Sequence, residues 1–93
     1  MEEKYLIALE NTLLQFYEPR AFCLHGYQEE SGCLEKQGDK WIVFHGERGC
    51  KHFTVTVDTI ELAAIEFFKM MTRDDEKIFK MTQTLHAEIE KLM

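Results

Sequence analysis

The sequence predicts an α+β fold in which an N-terminal helix precedes an antiparallel meander of three to four strands and two C-terminal helices. Two observations predict this order. Apolar residues recur at helical spacing near both ends of the chain, and all five glycines lie between them, among short aromatic and β-branched runs. The composition is 45% hydrophobic with one proline, which is typical of a folded chain. Since 93 residues suffice for one core, we expect a single domain over residues 1–93.

The first helix is predicted over residues 2–17. Its apolar side chains recur at intervals of three or four residues, at Leu6, Leu9, Leu13 and Phe16. Pro19 has no amide hydrogen and disfavours helical geometry at the residue before it. The helix should therefore end near Glu18.

Four strands are predicted over residues 21–25, 32–36, 40–45 and 52–57, with Gln37-Gly38-Asp39 forming a tight hairpin between the middle two. Because all the connections are short, we expect successive strands to be antiparallel neighbours. The third strand is apolar on both faces, which predicts a central position, with Trp41 directed toward the second face of the sheet.

The fourth strand alternates apolar and polar residues, which predicts one buried and one exposed face. The apolar set is Phe53, Val55 and Val57, and the polar set is His52, Thr54 and Thr56.

Two helices are predicted after the strands. Asp58 with Glu61 resembles a capping box that begins the first, and Thr72 with Asp75 could begin the second. The last helix carries an apolar stripe at Ile78, Met81, Leu85, Ile89 and Leu92. This stripe favours packing on the domain's own core, and a homodimer contact remains the alternative.

The charge of the chain is negative, with 17 acidic and 11 basic residues and a formal net charge of −6. This charge opposes direct binding to nucleic acid or to an anionic membrane. The excess of acids is concentrated in residues 1–31, where Glu29 and Glu30 lie, and would suit a basic protein partner. No apolar run approaches the roughly 20 residues of a membrane span. Three cysteines and a charged segment after Met1 predict a cytoplasmic protein with free thiols.

Catalytic and metal-binding patterns are weak in this sequence. It has no Cys-x-x-Cys or His-x-x-x-His pair, and the nearest local pairs are Cys23 with His25 and Cys50 with His52. Two-residue spacing places both members of a pair on one strand face, so a composite metal site remains open. No segment has a nucleophile signature or a phosphate-binding loop. We therefore expect a protein that is not an enzyme and holds no cofactor, with a small enzyme or ligand-binding domain as a competing hypothesis.

The most distinctive segment is HGERGC at residues 45–50, in which Glu47 and Arg48 lie between two glycines. These charges could be ordinary solvated turn residues forming weak ion pairs. They could instead form a fixed prominence beside Trp41 that a partner recognises, since arginine and tryptophan are favoured interface anchors. Both interpretations remain open from the residues alone.

The order of four segments resembles a family of small bacterial immunity proteins of polymorphic toxin systems. The segments are AFCLHG at 21–26, CLE at 33–35, KWIVF at 40–44 and GERG at 46–49. In that family a Trp-x-Val-aromatic strand leads into a Glu-Arg-Gly turn, and a later helix has an Ala-x-x-x-Phe core, here Ala64 to Phe68. The resemblance spans about residues 5–70, and residues 73–93 lie outside it.

The resemblance implies a non-enzymatic inhibitor that binds and neutralises a cognate toxin, such as a basic nuclease, in the cytoplasm. The matching positions are Trp41, Glu47, Arg48 and Gly49, and the acidic Glu29 and Glu30 are added as candidate partner contacts. We expect a monomer or a homodimer that binds neither nucleic acid nor membrane directly. The alternative is a regulatory or adaptor subunit that oligomerises through its C-terminal helix.

Overall fold

The computed structural model describes residues 2–93 and has the α+β architecture predicted from the sequence. The helices are α1 (Glu2–Leu14), α2 (Ile60–Met71) and α3 (Asp75–Lys91), with one turn of 3-10 helix over Pro19–Ala21. The strands are β1 (Phe22–Cys23), β2 (Ser31–Gln37), β3 (Lys40–Glu47) and β4 (Cys50–Val57). Within residues 2–93, no helix has the length and hydropathy needed to cross a membrane.

The four strands form one mixed sheet in the order β1-β2-β3-β4. The segment from β2 to β4 is the predicted antiparallel meander, and Gly38, with a φ of 63°, begins the tight turn between β2 and β3. The prediction of a wholly antiparallel sheet is wrong at β1, which pairs parallel to β2 through Phe22 with Gly32 and Cys23 with Cys33.

The parallel pairing arises because residues 24–30 do not form a hairpin turn. Leu24 still packs in the core on the helix side of the sheet, and the chain then crosses the opposite, second face, where the ring of Tyr27 stacks on Phe44 at a centroid distance of 6.3 Å. The side chain of Gln28 holds this loop by donating to the Ser31 hydroxyl at 2.7 Å and to the Arg20 carbonyl at 3.1 Å. Since β1 has only two residues, the loop can return the chain to the start of β2 in the same direction.

The main core lies between the helices and the first face of the sheet. Trp41 is 3% exposed and packs there with residues of all three helices, so the expectation that it points toward the second face is wrong. Trp41 and Val43 of β3 point into this core, whereas Ile42 and Phe44 form a smaller cluster with Cys33 on the other face. β3 is therefore buried on both faces and lies inside the sheet, as predicted.

The predicted alternation of buried and exposed residues in β4 is wrong. This strand is the edge of the sheet and is exposed along nearly its whole length. Phe53 is 80% exposed and lies at a shift of register between β3 and β4, where its φ is 54°. The extra residue at this bulge interrupts the two-residue period that the sequence pattern assumed.

The helix ends also differ in detail from the predictions. α1 ends at Leu14, before the proline-linked stop expected near Glu18. The N-cap of α2 is Thr59, whose hydroxyl accepts from the Leu62 amide at 3.2 Å, while Asp58 pairs with Lys40 instead.

The last helix begins after Asp74, which caps α3 by accepting from two amides of its first turn. Thr72, predicted as this cap, ends α2 instead. The apolar stripe of α3 packs on the domain's own core, chiefly against α1, with Met81 and Leu85 fully buried. This confirms the first of the two interpretations of the stripe.

Candidate functional site

The turn between β3 and β4 consists of Arg48 and Gly49, flanked by the paired residues Glu47 and Cys50. Both central residues have positive φ angles, 53° at Arg48 and 77° at Gly49, as in type I′ hairpin turns. Glycine, asparagine and aspartate are the residues that usually occupy these positions, because a longer side chain is disfavoured in this backbone region. An arginine at the first central position is therefore unusual.

Glu29 and Tyr27 of the crossing loop, residues 24–30, hold the backbone of this turn. The Glu29 carboxylate accepts hydrogen bonds from the Arg48 and Gly49 amides, the latter at 3.3 Å. The Tyr27 hydroxyl donates to Glu29 at 2.7 Å and accepts from the Gly49 amide at 2.7 Å. Because the Tyr27 ring also stacks on Phe44, the turn is connected to the core of the sheet.

The hydrogen bonds that Glu29 accepts favour the ionised form of its carboxylate. Hydrogen bonds from the Tyr27 hydroxyl and then from the Arg48 and Gly49 amides hold the pKa of Glu29 below its usual value of 4.5. The same contact raises the pKa of Tyr27, because its hydroxyl donates to the carboxylate. The ionised carboxylate thus makes charge-assisted hydrogen bonds with the turn amides, which are stronger than neutral ones.

The charged side chains at the tip of the turn point away from the domain and into the solvent. Glu47, Arg48 and Glu30 are exposed, and none of the three forms a side-chain ion pair with another residue of the 2–93 segment. Glu30 also has a positive φ, of 52°, at the end of the crossing loop. The result is a rigid backbone that presents both signs of charge outward.

Four of the five residues singled out from the sequence lie together at this end of the sheet: Glu29, Glu30, Glu47 and Arg48. Trp41 does not lie beside the turn as expected. It is six residues before Glu47 on the same strand, about 20 Å away at the rise of an extended chain, and its side chain is buried. Whether these residues contact a partner stays a prediction.

Tyr27 is the member of this site that the sequence did not single out. Its place is fixed by stacking on Phe44 and by a hydrogen bond from the Gly49 amide, both far from it in the sequence, so no local pattern marks it. Glu29 was predicted as a direct partner contact, but both of its carboxylate oxygens are engaged by the turn. Its observed position indicates that it supports the turn.

The two cysteine and histidine pairs lie apart from one another, and only the Cys50 and His52 pair is near this site, because Cys50 flanks the turn. Cys23 and Cys50 are on β1 and β4, the two edges of the sheet, and no three His, Cys, Asp or Glu residues cluster as metal ligands in the described part of the chain. Glu10, Cys23 and His25 line one cleft of about 130 Å³, but no hydrogen bond links their side chains there. Burial raises the pKa of Cys33, which favours its neutral thiol.

Comparisons with protein-family models, curated proteins and solved structures found no match for this chain. The turn between β3 and β4 is the strongest candidate for a functional site, because it combines an uncommon backbone conformation with exposed charged side chains.

Proposed function

We propose that this chain is a non-enzymatic protein-binding domain whose contact surface is centred on the turn between β3 and β4. The observation that carries the proposal is Arg48, a long cationic side chain at a position where glycine or asparagine would be more stable. Glu29 and Tyr27 compensate by bonding to the turn amides. A residue that costs stability and is supported by its neighbours is typical of a functional position.

Rigidity gives this turn a physical advantage in binding. Association costs free energy whenever a flexible loop must be ordered, and a turn already held by the side chains of Glu29 and Tyr27 avoids part of that cost. Arginine is also one of the residue types that most often dominate binding energy at protein interfaces. Arg48 has no ion-pair partner in the described chain, so its guanidinium is free for a carboxylate or a carbonyl of another protein.

The partner that we propose is a cognate toxin, which the chain would neutralise by binding in the cytoplasm of the cell that makes it. This choice is supported by the resemblance of residues 40–49 to the Trp-x-Val-aromatic strand and Glu-Arg-Gly turn of immunity proteins. A net charge of −6 would also favour encounter with a basic toxin such as a nuclease.

The proposal predicts that a toxin domain is encoded beside the gene for this chain, and co-expression of the two tests it. We expect the pair to co-purify and the chain to restore growth of cells that produce the toxin. Arg48→Asn should weaken the complex at least about tenfold, as loss of an interface anchor does. Asparagine tolerates the positive φ of this position, so the variant should stay folded.

Arg20→Asn is the matched control, because Arg20 is an exposed arginine in the 3-10 turn, outside the hairpin. Its substitution should leave the complex unchanged. Failure of the wild-type chain both to protect cells and to form a complex would reject the toxin partner. An Arg48→Asn complex as tight as the wild-type one would reject the turn as the contact surface.

A further inference from the structure

A groove runs between α2 and the helix-side face of β4. Its volume is about 340 Å³, at the lower end of the range of roughly 300–1,000 Å³ for ligand pockets. The floor is apolar and the helix wall carries charges; the lining residues are Val43, Phe53, Val55, Glu66, Lys69, Met70 and Arg73. α2 contacts β2, β3 and β4, but it leaves Phe53 and Val55 of β4 exposed, at 80% and 38%.

Phe53 is the most unusual residue of the groove. Its φ of 54° is a backbone conformation that bulky residues rarely adopt, and its side chain is 80% exposed. Neither observation is explained by packing in the domain, since burial does not compensate the strain. Phe53 lines the same groove as Val55, two residues on, and Met70 of α2.

The charge of the groove is opposite in sign to that of the whole chain. Lys69 lies 3.8 Å from Glu66, near the limit for an ion pair, whereas Arg73 makes no ion pair or side-chain hydrogen bond within residues 2–93. Arg73 is exposed at the end of α2, beside the apolar floor. An apolar surface next to an unpaired guanidinium complements a segment that carries an apolar side chain near a carboxylate.

We propose that this groove binds a short segment of a partner protein, which inserts an apolar side chain between Phe53 and Met70 and places an aspartate or glutamate against Arg73. The inference rests on the proposed function, because it assumes that the chain acts by binding another protein. It extends the contact surface from the turn along β4, whose Cys50–Val57 residues connect the two features.

Local charge complementarity favours an acidic segment of another protein over a second copy of this chain. Two copies would each bring a net charge of −6, which opposes their association. A partner with a basic overall surface and a local carboxylate carries no such penalty. The groove is also open along the exposed edge strand, so it can receive side chains from a continuous segment.

The test is selection from a phage-displayed library of random linear peptides on the immobilised full-length chain. We expect enriched peptides to carry an aspartate or glutamate close to an aromatic or aliphatic residue. Synthetic copies of these peptides should bind in solution, as measured by fluorescence anisotropy. Phe53→Gly and Arg73→Glu should each reduce their affinity at least about tenfold, as loss of an interface anchor does.

Matched controls separate the groove from general surface effects. Phe79→Ala removes another exposed aromatic side chain, and Arg20→Glu makes the same change of charge outside the groove. Both variants should bind the peptides as the wild-type chain does. Glycine is favoured at a positive φ, so a folded Phe53→Gly variant, checked by circular dichroism, excludes unfolding as the cause of lost binding.

Any of three results with the peptides would overturn the inference: no enrichment, enriched peptides without acidic residues, or binding that is insensitive to Phe53→Gly and Arg73→Glu. A dimer of the purified chain that Phe53→Gly dissociates would also overturn it, since the occupant would be a second copy. The peptide experiment contains no toxin and leaves Arg48 intact. Peptide binding without a toxin complex would therefore reject only the proposed function, and a toxin complex insensitive to both groove variants would reject only the groove.

Discussion

At the scale of single residues, the β3–β4 hairpin contains two non-glycine residues with positive φ, Arg48 at the turn and Phe53 at the bulge. The side chains of both are exposed, so neither conformation is compensated by burial of its own side chain. Backbone strain of this kind persists in folded proteins mainly where the side chain has a function. Arg48 lies in the turn that precedes β4 and Phe53 lies within this exposed strand, so both residues belong to one exposed edge of the sheet.

Relief of this strain should be measurable at Phe53. We expect Phe53→Gly to raise the free energy of unfolding by about 1 kcal/mol, because glycine adopts positive φ without steric cost. The matched control is Phe79→Gly in α3, which should lower it by about 1 kcal/mol, the usual cost of glycine inside a helix. Urea denaturation of both variants checks the prediction. Destabilisation of similar size in both would mean that Phe53 is not strained.

The second residue-scale prediction concerns Glu29 and pH. Its pKa is lowered from 4.5 in the folded chain, mainly by the Tyr27 hydroxyl and then by the turn amides. Its stabilising contribution is therefore complete above pH 4.5 and is lost as pH falls through the lowered value. Glu29→Gln should lower the melting temperature at pH 7 and reduce its further fall below pH 4.5. Parallel melting curves for variant and wild type across this range would contradict the bracing role.

At the scale of elements, the crossing loop of residues 24–30 determines both the sheet topology and the position of the turn. It covers Phe44 on the second face with Tyr27, and its Gln28 carbonyl lies directly over Gly46 of β3. A side chain at Gly46 would displace this carbonyl. The loop can therefore lie close to the sheet only because residue 46 has no Cβ atom.

Two glycine substitutions test this packing. In Gly46→Ala the new Cβ would clash with the Gln28 backbone, so we expect a loss of roughly 1–3 kcal/mol of stability, the range for overpacking. Gly32→Ala is the comparison, because its Cβ would meet the flexible ends of Met70 and Met71, which can move aside. Chemical denaturation should show a larger loss for Gly46→Ala. Equal losses of stability in the two variants would show that the Gln28 backbone moves aside as easily as the methionine side chains do.

The elements also show which features a single sequence can predict. The helical stripes and the Gly38 hairpin were predicted because each depends on residues close in the chain. The parallel pairing of β1 and the exposure of β4 were not, because they depend on a loop crossing the sheet and on how far α2 extends over it. The pattern around Trp41 was apolar on both faces, so it could not indicate which face the helices cover.

At the scale of the whole molecule, the acidic residues that give the domain its net charge are largely distinct from the proposed contact surface. The net charge is −6, and part of the acidic excess is used internally, since Glu2 pairs with Lys36 and Glu29 holds the turn. Glu3 and Glu10 on α1 are exposed and form no ion pair with other described residues. Such charges act on a partner at a distance, whereas the turn and the groove act only in contact.

This separation predicts different kinetic effects on binding to the co-expressed partner. The association rate constant should fall by about tenfold or more as ionic strength rises, because salt screens steering by the net charge. Phe53→Gly should instead raise the dissociation rate constant and leave the association rate within about threefold, as contact residues usually do. Surface plasmon resonance at several salt concentrations measures both, with Phe79→Ala as the control. An association rate constant that does not change with salt would mean that the net charge of the domain does not steer the partner. An association rate constant that Phe53→Gly lowers more than about threefold would mean that Phe53 already contacts the partner in the rate-limiting step.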